Sequence, residues 1–248
     1  MVGKKNILEL LNEGFVLGDG GMLAEARFRG YSTPRITVKF PEVLKQIHAD
    51  FFRAGAQVLQ ALTWWSTGSY LETRGKEGWA SRVEEVNRTA IRMARDAGEG
   101  EALVAGSLCQ AAYPPNQIDL NNPYQCDRAR NEWDQQIEIM VDEGVDFLIC
   151  EAFHRLGEME LVLECCKKTD LPVMACMTGT VWLERTVKWD RVETAPPAEC
   201  ARFMVDCGVD IVGMNCGIEP SVMFPLVLEM RDAVDVPMVF MPGGFQRR

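Results

Sequence analysis

Four places in the sequence put a reactive side chain directly after a short apolar run. Asp19 sits in the turn Gly18-Asp19-Gly20-Gly21, Thr63-Trp64-Trp65 follows Val58-Leu59-Gln60-Ala61-Leu62, Glu151 follows Phe147-Leu148-Ile149-Cys150, and Cys216 follows Gly213-Met214-Asn215. Carboxylates such as Asp19 and Glu151 can hold an ammonium group through charge-assisted hydrogen bonds, which are roughly twice as strong as neutral ones. A carboxylate in a glycine turn serves equally well as a local cap, so Asp19 carries both readings. The apolar run before Glu151 buries its stem and favours a functional role there. The indole faces of Trp64 and Trp65 can attract a quaternary ammonium or sulfonium centre. Consecutive strand residues face opposite ways, so one indole is expected under a helix and the other at the site.

A Cys216 thiolate can coordinate zinc at about 2.3 Å, but one cysteine does not make a metal site. Cys165-Cys166 falls within the helical stretch 157–169, where neighbouring side chains diverge by about 100°, and it is not expected to ligate. Of the two histidines, His48 lies mid-helix and reads as structural, whereas His154 follows the Glu151 run and has the same end of the fold within reach.

Positioning these groups requires strands that end where the chemistry begins. Short apolar runs alternate with stretches of helical period, the pattern of repeated strand-helix units around a parallel sheet. Seven strands are predicted: 15–19, 58–63, 103–107, 147–151, 173–177, 211–215 and 238–241. Helices are predicted over 41–54, 82–97, 125–143, 198–207 and 221–234. No strand leads into Gly-x-Gly-x-x-Gly, so a dinucleotide fold has little support, and no Gly-x-Ser-x-Gly elbow supports a serine triad. The expected fold is α/β, a (β/α)8 TIM-type barrel formed as one domain over residues 1–248, with the reactive groups at the carboxyl ends of the strands. A complete barrel takes about 250 residues, and this chain spends its length on seven strands, so the eighth strand and last helices are expected to be missing. Open edges at strands one and seven would invite pairing with another chain, which makes a homo-oligomer possible.

A net charge of -10 argues against a nucleic-acid partner. Lys4, Lys5, Glu9 and Glu13 interrupt the N-terminal apolar residues, which excludes a signal peptide, and no run is long enough for a membrane span. Nine cysteines in such a chain read as reduced thiols, so a cytoplasmic location is expected.

With these residues in place, the sequence resembles the zinc-dependent homocysteine S-methyltransferases, and within them the betaine-homocysteine type, along nearly its whole length. The matching segments include Gly18-Asp19-Gly20-Gly21, Arg29-Gly30-Tyr31, Leu71-Glu72-Thr73-Arg74-Gly75, Val145-Asp146-Phe147-Leu148-Ile149, Pro196-Pro197-Ala198-Glu199-Cys200-Ala201 and Gly213-Met214-Asn215-Cys216, in the family's order. The resemblance implies that Asp19, Gly20 and Glu151 hold the amino-acid end of homocysteine. It implies that Cys216 is the first zinc ligand and that Thr63, Trp64 and Trp65 line the side of the methyl donor, betaine or another onium compound. The implied activity is methyl transfer to homocysteine, giving methionine.

The sequence also departs from the family. The remaining zinc ligands there are an adjacent cysteine pair after Gly-Gly at the end of strand eight, which this chain does not reach. Betaine enzymes carry Phe-Tyr where Trp64-Trp65 stands, and a tryptophan where Ser32 precedes Thr33-Pro34. These departures raise a second expectation, a metal-free, catalytically silent binding or regulatory paralogue, or a fragment of a longer enzyme. They also leave the donor open to a sulfonium such as dimethylsulfoniopropionate.

Overall fold

The computed structural model describes residues 4–111, 118–178, 187–189 and 192–243. These fall into two compact units, one running to Leu108 and taking in Asn131–Leu148, the other taking Cys109–Ala111, Ile118–Arg130 and the chain from Ile149 onward.

The first unit opens with helix α1 (Ile7–Glu13). A reciprocal capping box starts it: Asn6 Oδ1 accepts from the Glu9 N–H, and Glu9 Oε2 accepts from the Asn6 N–H. Helices α2 (Met22–Phe28), α3 (Arg35–Lys39) and α4 (Pro41–Arg53) follow. Proline at the first position of α4 suits a helix start, where its missing N–H would be unpaired anyway. Strand β1 (Val58–Ala61) leads through the short helix α5 (Gly68–Tyr70) and two further single turns to α6 (Val83–Ala97), then to β2 (Leu103–Leu108). β1 and β2 are parallel, with Val58 opposite Leu103 and Ala61 opposite Gly106. Helix α7 (Pro123–Asp142) crosses from the second unit into the first, and β3 (Phe147–Phe153), the neighbour of β2, passes back into the second.

In the second unit β3 is followed by α8 (Leu156–Cys166) and β4 (Val173–Thr178), and the parallel ladder continues from β3 to β4. A hairpin of β5 (Val187–Trp189) and β6 (Val192–Ala195) stands apart from that ladder. Helix α9 (Pro197–Asp206), β7 (Ile211–Asn215), α10 (Pro220–Arg231) and β8 (Met238–Met241) complete it. β4 pairs with β7 in parallel, Thr178 opposite Asn215, and β7 with β8, Asn215 opposite Met241. Every residue of β2, β3, β4 and β7 is buried. Burial on both faces is why these strands read as continuous apolar runs rather than alternating ones. β8 is only half-buried, and Phe240 on it meets Phe224 of α10 edge to face.

Among the described residues six parallel strands therefore alternate with helices, an α/β fold of the TIM-barrel type. Six of the seven predicted strands form. The exception is 15–19, which makes a single bridge from Gly18 to Val58, with Gln57 N–H donating to Leu17 O at 2.7 Å and Asp19 N–H to Val58 O at 3.0 Å. It has a neighbour on one side only among the described residues, and Phe15 is 91% exposed, so too little burial accompanies its pairing to extend it. The β5–β6 hairpin lies outside the sequence expectation, because runs of three and four residues carry too little periodicity to separate from loop. No helix among the described residues is long and apolar enough to cross a membrane.

Candidate functional site

In the first unit, the turn that ends the bridged segment buries Asp19. Its Oδ2 accepts the Gln60 N–H at 2.9 Å, which ties the carboxylate to β1. Burial pushes the Asp19 pKa up, and His48 and the Gln60 N–H oppose that by favouring the charged form. Nδ1 of His48 lies 3.7 Å from Asp19 Oδ2, beyond direct hydrogen-bonding distance, and neither ring nitrogen has a hydrogen-bond partner among the described residues. At Gly20 an added Cβ would lie 2.7 Å from the Phe51 ring, so only glycine lets the chain pass without displacing that ring.

Just beyond β1, Thr63 is locked to the end of β2. Its Oγ1 donates to Ser107 O and accepts the Ser107 N–H, both at 2.8 Å. The carbonyl of Thr63 accepts from Gln136 Nε2 at 2.7 Å, and that nitrogen also donates to Asn87 Oδ1 at 2.9 Å. Asn87 Nδ2 donates in turn to Ser66 O at 2.9 Å, so a buried polar chain from α6 and α7 fixes residues 63–66. The Thr63 hydroxyl is thereby committed to the fold. Trp64 and Trp65 stack on each other, ring centroids 4.0 Å apart and 26° from parallel, rather than dividing between a helix and the site. The strand has already ended, and Trp65 adopts a left-handed backbone, φ 60°, so the alternation that separates strand neighbours no longer applies.

In the second unit, Glu151 is 8% exposed and clamped. Asn215 Nδ2 donates to Glu151 Oε2 at 2.9 Å, while Asn215 Oδ1 accepts the Ala152 N–H at 2.8 Å. One side chain from the end of β7 thus holds both the carboxylate and the backbone beside it. Cys216 follows at once, with φ 57° and its N–H donating to Met241 O at 2.9 Å. Although Cys216 reaches the surface, protein packed around its thiol, and then the Glu151 charge, push its pKa up to about 11. His154 sits beyond β3, where burial and then the Arg155 charge lower its pKa and favour the neutral ring. Cys166 lies within α8 with its sulfur 3.6 Å from that of Cys150, and both Cys165 and Cys166 are buried.

Left-handed backbone at non-glycine residues occurs at Trp65, Glu99, Ala152 and Cys216 among the described residues. Three of these four adjoin or belong to the residues singled out by chemistry. Each such conformation costs on the order of 1–3 kcal/mol and tends to persist at functional sites.

Sequence reasoning passed over Asn87 and Gln136, read His48 as structural and gave Asn215 no role of its own. Two left a signal: His48 keeps step with the buried Leu44 and Ile47 on α4, and Asn87 with Val83, Ala90 and Ile91 on α6. A polar residue in an apolar helical stripe marks a buried network.

The family model described as homocysteine S-methyltransferase matches residues 16–248. The chain belongs to this family. Among its homocysteine S-methyltransferase relatives, betaine-homocysteine S-methyltransferase 1 of Mus musculus is 35% identical over 241 residues, covering 94% of this chain and 56% of the relative. The S-methylmethionine-homocysteine S-methyltransferase BHMT2 of Pongo abelii is 33% identical, covering 93% of this chain and 60% of that protein. The chain thus spans little more than half the length of these relatives. The metallated form of the homocysteine methyltransferase MmuM from Escherichia coli shares the fold with a TM-score of 0.77 at 19% identity, over 96% of this chain and 86% of that one.

A family zinc site needs at least three protein ligands. Among the described residues no three His, Cys, Asp or Glu side chains are grouped to hold a metal. Cys216 supplies one thiol, so the described residues by themselves do not fit a zinc ion.

Proposed function

We propose that this protein moves a methyl group from an onium donor of the betaine kind to the sulfur of homocysteine, giving methionine. The observation that carries the reading is the Asn215 clamp, which holds the Glu151 carboxylate next to the strained Cys216 at the end of β7. A carboxylate oriented by a neighbouring amide can accept charge-assisted hydrogen bonds from a ligand ammonium. Membership of the family and relatives named for betaine and S-methylmethionine support the same substrates.

In this reading Asp19, Gly20 and Glu151 serve the amino-acid end of homocysteine. An arriving ammonium offsets the desolvation that raises the Asp19 pKa and holds the carboxylate charged. Trp64 and Trp65 serve the donor's cationic centre. The reaction is a direct displacement: homocysteine gives up its thiol proton, a sulfur lone pair forms the new bond to the methyl carbon, and the carbon–nitrogen bond breaks with its electron pair going to nitrogen. From betaine the second product is dimethylglycine, and the proton balances the amine released. Holding thiolate and methyl together converts a bimolecular step into an intramolecular one. Cys216 is the one thiol assigned to the family's zinc site, and the described residues do not complete that site. All nine cysteines are free thiols, consistent with a reducing cytoplasm.

Incubating the full chain with homocysteine and methyl-labelled betaine, S-methylmethionine or dimethylsulfoniopropionate, and detecting labelled methionine by mass spectrometry, tests the reading. Label transfer that falls at least about 100-fold in Glu151→Gln is expected, the scale of losing a positioned charge. No transfer from any of the three donors to folded protein would refute it. The absence of a three-ligand metal cluster among the described residues favours one second reading, a metal-free protein that binds homocysteine without turning it over. Homocysteine binding without label transfer would establish that alternative.

A further inference from the structure

The tryptophan pair carries a cation already. The guanidinium carbon of Arg74 lies 3.3 Å from the Trp65 ring centroid and 5.6 Å from that of Tyr70, while Tyr70 itself stands 6.0 Å from Trp65. The 4.0 Å between the two indoles leaves no room for a guanidinium, so Arg74 covers the Trp65 face opposite Trp64. Both faces of Trp65 are thus taken by the protein itself. Any onium group that is to use Trp65 must first displace Arg74.

Arg74 is exposed, and among the described residues no carboxylate lies within 4.0 Å of its guanidinium. The neighbouring acid, Glu72, is committed to its own loop, its two oxygens accepting the Gly78 N–H at 3.0 Å and the Ala80 N–H at 3.2 Å. A guanidinium parked on an indole without an anion can move at little cost, because an exposed cation–π contact is weak. What it gains by moving depends on the ligand. A simple quaternary cation would push one positive charge off the ring and offer it nothing. A donor that carries a carboxylate beside its onium centre exchanges partners completely: the indole takes the onium, and the guanidinium takes the carboxylate through paired N–H donors.

We propose that Arg74 and Trp65 together form the donor-selecting subsite, in which Trp65 receives the cationic centre of a zwitterionic onium donor and Arg74, displaced from the ring, binds that donor's carboxylate. Selectivity then comes as much from the penalty on cations lacking a carboxylate as from attraction to those that have one. The inference rests on the methyltransferase reading for the donor's identity as a methyl source.

Calorimetric titration of the full chain and its Arg74→Ala and Arg74→Lys variants with glycine betaine and with tetramethylammonium tests it, alongside the label-transfer assay. The wild type is expected to prefer betaine. In Arg74→Ala betaine binds about tenfold more weakly or worse, as expected for one lost charge-assisted pair, while tetramethylammonium binds more tightly. Arg74→Lys, with charge but no planar fork, falls between the two. Opposite shifts for the two ligands are not the signature of general damage to the fold, and Trp65→Leu should weaken both. A preference for betaine that survives Arg74→Ala, equal binding of the two cations by the wild type, or no binding of either overturns the proposal. Arg74-dependent betaine binding without methyl transfer would instead overturn the enzyme reading and leave the subsite standing.

Discussion

The Asp19 carboxylate accepts the Gln60 backbone N–H and is otherwise closed in, with His48 Nδ1 3.7 Å from its Oδ2. Burial raises its pKa above the ordinary 3.8, so the folded protein binds this proton more tightly than the unfolded chain does. The resulting contribution to stability is complete below pH 3.8 and is lost as pH rises from there through the folded pKa. Asp19→Asn, which keeps an acceptor for Gln60, should therefore melt higher than the wild type at pH 7, by ~2–4 °C for each kcal/mol recovered, and the gap should close below about pH 4. Thermal melts at the two pH values measure this; an Asn variant that melts lower at pH 7 would refute it. Under the proposed function, the stability given up at Asp19 serves an ammonium-bearing substrate, whose arrival favours the charged carboxylate.

Secondary-structure elements deliver these groups through their ends, and two glycines show how tightly the strands are set. At Gly213 in β7 an added Cβ would lie 2.0 Å from Val239 O of β8, an atom fixed in the parallel ladder. At Gly106 in β2 the nearest atom, 2.6 Å away, is the flexible sulfur of Met140. Gly213→Ala should cost more than about 2 kcal/mol and Gly106→Ala about 1 kcal/mol, read by urea denaturation, because a thioether can rotate aside and a ladder carbonyl cannot. Equal losses would show that β8 yields as readily as a side chain. The expected helices at 41–54, 82–97, 125–143, 198–207 and 221–234 all form to within three residues at each end, because helical period is a local property of the sequence. The expected strand at 15–19 shrinks to one bridge, because a strand depends on neighbours that its own residues do not specify.

At the scale of the whole chain, membership of the homocysteine S-methyltransferase family rests on a match over residues 16–248, while the mouse relative extends well beyond the matched length. Zinc is the property for which that difference matters most. Elemental analysis of the full protein after dialysis separates the two proposed readings: about one zinc per molecule, lost in Cys216→Ala, supports a metal site that includes Cys216, and no zinc supports the metal-free reading. Zinc content that is unchanged in the variant would remove Cys216 from the ligand set.

The sequence by itself determined the alternation of strands and helices, the TIM-type class, and the residue types placed after each strand: Asp19, Trp64-Trp65, Glu151 and Cys216. These follow from periodicity and from the polarity change at the end of an apolar run, both local properties of the chain. Tertiary structure alone decided which of those groups are held and by what. Asn215 reaches Glu151 across 64 residues of chain, His48 comes beside Asp19 from a separate helix, and Gln136 reaches Thr63 across 73 residues. Arg74 comes to cover Trp65 only through the turns that follow β1. Such contacts are fixed by sheet register and by the packing of helices on strands, and no local pattern encodes either one.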